Sequence, residues 1–484
     1  MSTVAKDRRV PFFTRIAYGI GESAEGMQRN ANSLFVLFYY NQVLGLPGTL
    51  AGAALFIALL VDGFTDPLIG TWSDHCRSKL GRRHPFMFAA ALPVGLTFIG
   101  LFAPPSGLGE VGLFLWLTAF AVLTRFALTL YNVPHLALGT EITEDPEERT
   151  RLILLRQLFS YLGTTFAIVV GFGWFFSDAR GGRLLAENYP TFAIALGTAM
   201  TVAILVAAVG TRSEIRHVNT APPRQRGFLA QLVRDVRESA RNKPFVWLAA
   251  GTTALFVSAG VHRTLSLYLL EYFWALRSGQ MVVVQLATLI GLFAGIVALR
   301  IVLFRTSKRF TLLLGTAGAV LFQVLPVLLR LVDLFPANGT SALVWALIVM
   351  EVIQGAFSAF ALVAYFAMMT DVTDLHELDT GARREGALFG VITFAVKASA
   401  AVAQIVAGIG LDVIDWPRGA GVTVSDVPAD TIVHLGIFYG PVLMVFSAAG
   451  IWCYLHYRLD AKRRAEIMRE LYARRRAAAA GTTA

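Results

Sequence analysis

The sequence predicts an all-α membrane protein, with twelve transmembrane helices arranged as two halves of six. Three observations carry that prediction. Of 484 residues, 56% are hydrophobic and only 15% charged, with a mean hydropathy of +0.60, whereas a soluble domain is about a quarter charged. The apolar residues fall into runs long enough to cross hydrocarbon, which takes about 20 residues each. The charges between the runs are divided unequally between the two sides. The composition alone excludes a disordered chain, a coiled coil, a disulfide scaffold and a multidomain cytosolic enzyme.

The runs lie near 17–43, 50–73, 84–104, 112–138, 152–177, 190–211, 244–272, 280–303, 309–332, 341–370, 387–412 and 431–457, each bounded by charge or by Gly/Pro punctuation. An even number puts both termini on one side. That side holds 32 of the 42 basic residues, against Arg180, Arg183, Arg277, Arg330 and Arg418 on the other. The positive-inside rule therefore predicts cytoplasmic termini. The net charge of +10 is read as topology, and no nucleic-acid partner is expected. The polar start with Lys6, Arg8 and Arg9 leads into an apolar stretch too long for a cleavable signal. Cys76 and Cys453 stand alone, so neither a disulfide framework nor a Cys-rich metal site is available.

Residues 1–211 form the first six-helix half and 244–457 the second. The connection 212–243 holds Pro222-Pro223, then Phe228, Leu229, Leu232, Val233 and Val236 on one side of an amphipathic stretch and Arg226, Arg234, Arg237 and Arg241 elsewhere. It predicts a helix lying on the inner leaflet, and the basic tail 458–484, with Arg463-Arg464 and Arg474 to Arg476, is read the same way. A weak repeat supports the two halves. Lys79-Leu-Gly-Arg-Arg after span 2 is echoed by Arg305-Thr-Ser-Lys-Arg after span 8. Glu141-Ile-Thr-Glu with Glu148-Arg149 after span 4 is echoed by Asp371-Val-Thr-Asp with Arg383-Arg384-Glu385 after span 10. Parallel six-helix repeats are the major facilitator arrangement.

Charges inside the spans are expensive, about 2.5–3.5 kcal/mol each at the bilayer centre, and so call for a partner or a watery cavity. Span 1 carries Glu22, Glu25, Arg29, Asn32 and Ser33 as a polar stripe, read either as an internal ion pair or as cavity lining. Span 2 carries Asp62 and Asp66, four residues and about 6 Å apart on one helix face. Two such carboxylates need a cation, a proton or a basic neighbour. Lys397, at similar depth in span 11, leaves one negative charge for one Na⁺ or H⁺ to cancel. Span 4 supplies Arg125, Thr129 and Asn132 before Pro134. Thr129 offers a hydroxyl at the depth of Asp66, as a hard-cation ligand or bonded back to its own helix. In span 5, Arg156 shares a face with Ser160 and Thr164 as a polar anchor for substrate. His262, Arg263 and Ser266 in span 7 suggest the outer half of a pathway or satisfied packing residues, and Glu271 and Glu351 complete the acids.

The connection from Asp74 to Arg83 is too far from the bilayer centre to touch a substrate. Its mixed charges suit a cytoplasmic latch that breaks when that side opens. The gating candidates are Asp74, Arg77, Arg82, Arg83, Glu141, Arg149 and Arg384. No phosphate-binding loop, zinc motif or nucleophile elbow occurs, so no enzyme and no cofactor is expected.

Tyr18-Gly-Ile-Gly, Phe38-Tyr39-Tyr40 through Gly45-Leu46, Asp62-Gly-Phe-Thr-Asp66-Pro67-Leu-Ile-Gly70, Asn132-Val-Pro134 and Arg383-Arg384-Glu385-Gly386 leading to Lys397 resemble the glycoside, pentoside and hexuronide cation symporters. These form the melibiose permease-like branch of the major facilitator superfamily. The resemblance covers essentially the whole chain. It implies that Asp62 and Asp66 bind the coupling cation, with Thr129 as the helix IV threonine, Lys397 as the helix XI lysine and Arg156 at the sugar pocket. Glu25, Arg29, Asn132 and Arg125 complete the expected substrate site. The chain departs from the family where sugar is recognised: Gly26 and Asn132 stand in place of carboxylates and Leu136 in place of a tryptophan. The expected protein is thus a monomeric Na⁺- or H⁺-coupled symporter in the lipid bilayer that carries a sugar, glycoside or uronide. The same losses also resemble the lysophospholipid-transporting relatives, which makes an amphipathic or lysolipid-like substrate the alternative.

Overall fold

The computed structural model describes residues 9–143, 145–217, 234, 236–303, 306–381, 385–419, 422–459 and 461–481, and within them the protein is helical. In chain order the helices are α1 (Phe12–Ala31), α2 (Gly48–His75), α3 (His84–Leu101), α4 (Glu110–Glu141), α5 (Pro146–Val170) and α6 (Asn188–Gly210). They continue with α7 (Lys243–Tyr268), α8 (Ser278–Leu303), α9 (Lys308–Leu331), α10 (Ser341–Thr380) and α11 (Glu385–Val413). Last come α12 (Ala429–Leu455) and the tail helix α13 (Ala461–Gly481). Among the described residues, α2 to α12 are each long and apolar enough to span a membrane. Helix α1 falls short on composition because Arg15, Glu22, Glu25 and Arg29 interrupt it. Its π-helical continuation, Asn32–Val36 and Tyr39–Val43, brings the helical run to 12–43 and makes it the twelfth. Residues 218–233, most of the amphipathic connection, and Arg384 lie outside the described residues.

Local chemistry sets several boundaries. Asp145 caps α5 by accepting from the Glu147 amide at 3.0 Å, with Pro146 in the first turn where no amide hydrogen is needed. Ser307 and Thr340 cap α9 and α10 in the same way, and Gly381 ends α10 at φ +70°. Without a hydrophobic drive between helices in lipid, close packing rests on small residues. A Cβ on Gly26 of α1 would lie 2.1 Å from the Ser160 carbonyl oxygen of α5, and one on Gly163 would lie 2.2 Å from the Ser23 carbonyl oxygen. Any side chain at Gly26 would therefore displace α5.

By contact the chain forms two compact units. The first comprises residues 1–224, 263–282 and 404–435, the second 225–262, 283–403 and 436–484. In the first unit, the connections farthest from the N-terminus are tied together by polar contacts. Arg183 ion-pairs with Glu271, its Nη1 donates to Ser278 Oγ at 2.5 Å, and Tyr268 donates to Asn41 Oδ1 at 2.8 Å. The Asp412 carboxylate accepts the backbone amides of Gly48 and Thr49 at 2.8 and 2.7 Å, capping α2 from α11.

The second unit is built on Phe245, Leu248, Leu312, Met368, Leu388 and Tyr454. There His262 has Nδ1 2.8 Å from the Ser258 carbonyl oxygen and Nε2 2.7 Å from that of Tyr439, the placement of a packing residue. Thr288 donates to Glu351 Oε2 at 2.5 Å. The tail helix differs from the sequence expectation of a helix on the leaflet. Ile467 and Leu471, four apart on its apolar stripe, are buried against Leu378, so that stripe is covered by protein. Arg474 and Arg464 fix it further, through the Leu378 carbonyl at 2.8 Å and Asp371 at 3.3 Å.

Candidate functional site

Helix α2 places Asp62 and Asp66 one turn apart, with Asp62 buried and Asp66 half-buried. Pro67 follows directly and has no amide hydrogen to give the carbonyl of Gly63, which loosens the helix beside the second carboxylate. Thr129 of α4 lies against both: Oγ1 is 2.8 Å from Asp62 Oδ1 and 3.1 Å from Asp66 Oδ1. A hydroxyl carries one hydrogen and can satisfy one carboxylate at a time. Three oxygens converge here at distances short enough to share a further proton or a hard cation.

A second polar cluster lies in the same unit, on α1, α4 and α5. Asn132, three residues beyond Thr129, donates Nδ2 to Glu25 Oε2 at 2.9 Å. Its Oδ1 is buried without a hydrogen-bond partner among the described residues, leaving an acceptor for a ligand donor. Arg29 reaches Glu25 at 3.4 Å and donates to Ser160 Oγ at 2.9 Å. Glu22 lies 3.6 Å from Arg156 Nε and 3.7 Å from His135 Nδ1. His135 stacks between Tyr18 and Tyr131, and its Nε2 meets the Tyr18 carbonyl at 2.9 Å. Glu25 and Arg29 of α1 are thus paired with each other and are 29% and 42% exposed.

The predicted residues therefore group as follows. Asp62, Asp66 and Thr129 meet at one point, and Glu25, Arg29 and Asn132 at another, with Arg156 beside it through Glu22. Arg125 sits one turn before Thr129 on α4, half-buried, and makes no hydrogen bond or ion pair among the described residues. Lys397 stands on α11 within the second unit. Sequence reasoning missed His135 as a contact of Glu22 and Ser160 as a contact of Arg29. The signal for His135 was its three-residue step from Asn132 on one helix face.

The charged connection after α2 closes on the end of α4. Buried Arg83 donates to Glu141 Oε1 at 2.6 Å and to Ser73 Oγ at 2.7 Å and pairs with Asp74 at 2.5 Å, while Arg82 meets Glu141 at 2.8 Å. Arg149 reaches the Thr140 carbonyl at 3.2 Å, and Arg77 is exposed. The second unit repeats the arrangement at the echoed motif, where Lys308 Nζ holds both oxygens of Asp371 at 2.9 and 3.0 Å. The sequence repeat thus marks a basic connection closing on the acid at the end of the fourth helix of each half.

The long apolar helices and the polar clusters inside them, together with a match to a transport family, define an integral membrane transporter, not an enzyme. Residues 17–461 match the MFS/sugar transport protein family, and the chain belongs to it. Over 477 residues it is 27% identical to a putative 2,3-dihydroxypropane-1-sulfonate exporter of Escherichia coli, covering 97% of each chain. It is 33% identical to an uncharacterised symporter of Synechocystis sp. over 175 residues, 35% of this chain and 32% of that relative. The solved structure of a D-xylose-proton symporter shares the fold at a TM-score of 0.60 and 13% identity, with 92% of this chain and 97% of that one covered.

Proposed function

We propose that the protein is a symporter that carries a sugar, glycoside or uronide by alternating access, driven by Na⁺ or H⁺ bound at Asp62, Asp66 and Thr129. The observation that carries this reading is the single Thr129 hydroxyl set against two carboxylates at 2.8 and 3.1 Å. Oxygen ligands of this kind suit a hard monovalent cation or a proton. Sugar as cargo is supported by the family's description, and coupling by the symporter relative. Substrate contacts are assigned to Glu25, Arg29, Asn132, Arg156 and Arg125. Thr129 and Asn132, one turn apart on α4, let that helix sense ion and cargo together. Lys397 stays in the proposal as the family's lysine, whose charge takes part in coupling. The Arg82–Arg83–Glu141–Asp74 cluster is the gate, and the protein works as a monomer in a bacterial inner membrane with both termini in the cytoplasm.

For coupling, the ion must bind one conformational state more tightly than the other. The test is thermal unfolding of the purified protein with sugars, glycosides, uronates and lysolipids, each with and without Na⁺ and at two pH values. Cargo stabilisation that depends on Na⁺ or on pH is expected, and Asp62→Asn is expected to abolish that dependence while leaving a folded protein. Undiminished ion dependence in Asp62→Asn sinks the site assignment, and a response to lysolipids alone replaces the sugar with the amphipathic cargo.

A further inference from the structure

One corner of the second unit gathers basic side chains that no acid answers. Where α12 finishes and α7 begins, Trp247 of α7 packs against Trp452 of α12, with ring centroids 5.4 Å apart at 81°. His456, which closes α12, lies 4.9 Å from the first ring and 4.4 Å from the second. Its Nδ1 donates to the Trp452 carbonyl at 2.8 Å, which turns Nε2 outward. Arg309, the second residue of α9, donates Nη2 to the Leu455 carbonyl at 2.5 Å, beside His456 in the chain. Lys243 stands one turn before Trp247 on the same helix face, and Arg458 follows His456 by two residues. All three bases are exposed. Among the described residues none of them pairs with an acid, and neither indole N–H has a hydrogen-bond partner. Other bases of this unit are taken up: Asp371 holds Lys308 and Arg464, and Glu466 holds Arg463.

Trp452 is 53% exposed at the end of an apolar span. A tryptophan so placed marks the level of the lipid headgroups, where the ring is apolar and its N–H is wet. The anion at that level is the phospholipid phosphate, and each Lys or Arg near an anionic leaflet strengthens attraction to it about 5-fold. The first turns of α7 and α9 add the positive ends of two helices. Arg309 meanwhile covers the negative end of α12 by taking the Leu455 carbonyl. We propose that Lys243, Arg309, Arg458, Trp247 and Trp452 form a binding site for the headgroup of an anionic phospholipid. The three bases hold phosphate, the indole N–H groups donate to phosphate or ester oxygens, and the rings rest against the acyl chains. The site belongs to the second unit and owes nothing to the identity of the cargo.

The experiment titrates the full-length protein, purified in an uncharged detergent, with phosphatidylglycerol, cardiolipin, phosphatidylcholine and inorganic phosphate, and reads the thermal unfolding transition. At least one of the two anionic lipids is expected to raise the transition at lower concentration than phosphatidylcholine, with no response to inorganic phosphate. Lys243→Gln combined with Arg458→Gln is expected to weaken the apparent affinity for that lipid about 25-fold, and Arg309→Gln about 5-fold. Lys243 and Arg458 make no side-chain hydrogen bond or ion pair among the described residues, so the double variant tests the site even where loss of Arg309 harms folding. Trp247→Leu, which keeps an apolar side chain and loses the indole N–H, is expected to weaken binding as well. Arg469→Gln removes an exposed base of the tail helix outside the cluster and is expected to leave the affinity unchanged. An equal response to phosphatidylcholine, a matching response to inorganic phosphate, or native affinity in the double variant overturns the site. A loss in Arg469→Gln as large as in Arg309→Gln overturns it too, by reducing the effect to overall charge.

Discussion

Replacing Thr129 by valine removes one oxygen and almost no volume, which isolates the hydroxyl's part in ion binding. The structure sets the size of the effect. Oγ1 is 2.8 Å from Asp62 and 3.1 Å from Asp66, so valine deletes a group that touches both carboxylates. A hydrogen bond to a charged group contributes about 1.5–3 kcal/mol, and an oxygen ligand to a hard cation is a contact of the same kind. Loss of one such contact weakens ion affinity about 10- to 150-fold. Serine keeps the oxygen and is expected to stay close to the native affinity. The assay is the ion dependence of the unfolding transition, titrated with Na⁺ at fixed pH and with pH at fixed salt, for Thr129→Val and Thr129→Ser side by side. Identical titrations for native protein and valine variant would refute the reasoning, because the two aspartates would then hold the ion without the bridge. Equal losses in valine and serine would also refute it, by pointing to packing of the methyl group instead.

Two further perturbations test other parts of the molecule. Arg83→Ala takes the buried guanidinium from Asp74 and leaves Glu141 with Arg82 alone, a smaller loss than the about 3–5 kcal/mol for a buried pair broken outright. It is expected to lower the unfolding transition and to speed maleimide labelling of nearby Cys76 in a Cys453→Ser background; labelling at the native rate counts against the latch. Gly26→Asp restores the family's missing carboxylate, but its Cβ would fall 2.1 Å from the Ser160 carbonyl oxygen. Overpacking typically costs about 1–3 kcal/mol, so a lower yield of monodisperse protein is expected, and a fully stable variant would show that α1 and α5 separate freely.

Much of this was legible from periodicity and charge. Asp62 and Asp66 announce themselves because a span tolerates few acids, and a four-residue step puts both on one face. The repeat between the Lys79 and Arg305 motifs points to the charged connections that meet Glu141 and Asp371 in the two units. The far ties were less visible. Glu271 reads in sequence as an intramembrane acid, and only folding brings Arg183 to it. Asp412 gives no sign that it will serve α2, because a cap supplied from another helix leaves no local pattern around the amides it satisfies. Gly26 shows the same limit from the other direction. Its replacement of a carboxylate reads as a change of substrate, while the structure adds a packing reason, the close approach of Ser160.

The cap on α2 has a consequence for any cycle that opens that end. The Asp412 carboxylate holds the amides of Gly48 and Thr49, and the same rigid helix carries Asp62 fourteen residues on, a rise of about 21 Å. Parting α2 from α11 there would leave the Asp412 carboxylate, among the described residues, with only Arg418, 3.4 Å away, and would uncover the positive end of a helix that attracts it. A cycle that parted these two helices would meet a restoring pull at this end from the backbone amides of α2 themselves.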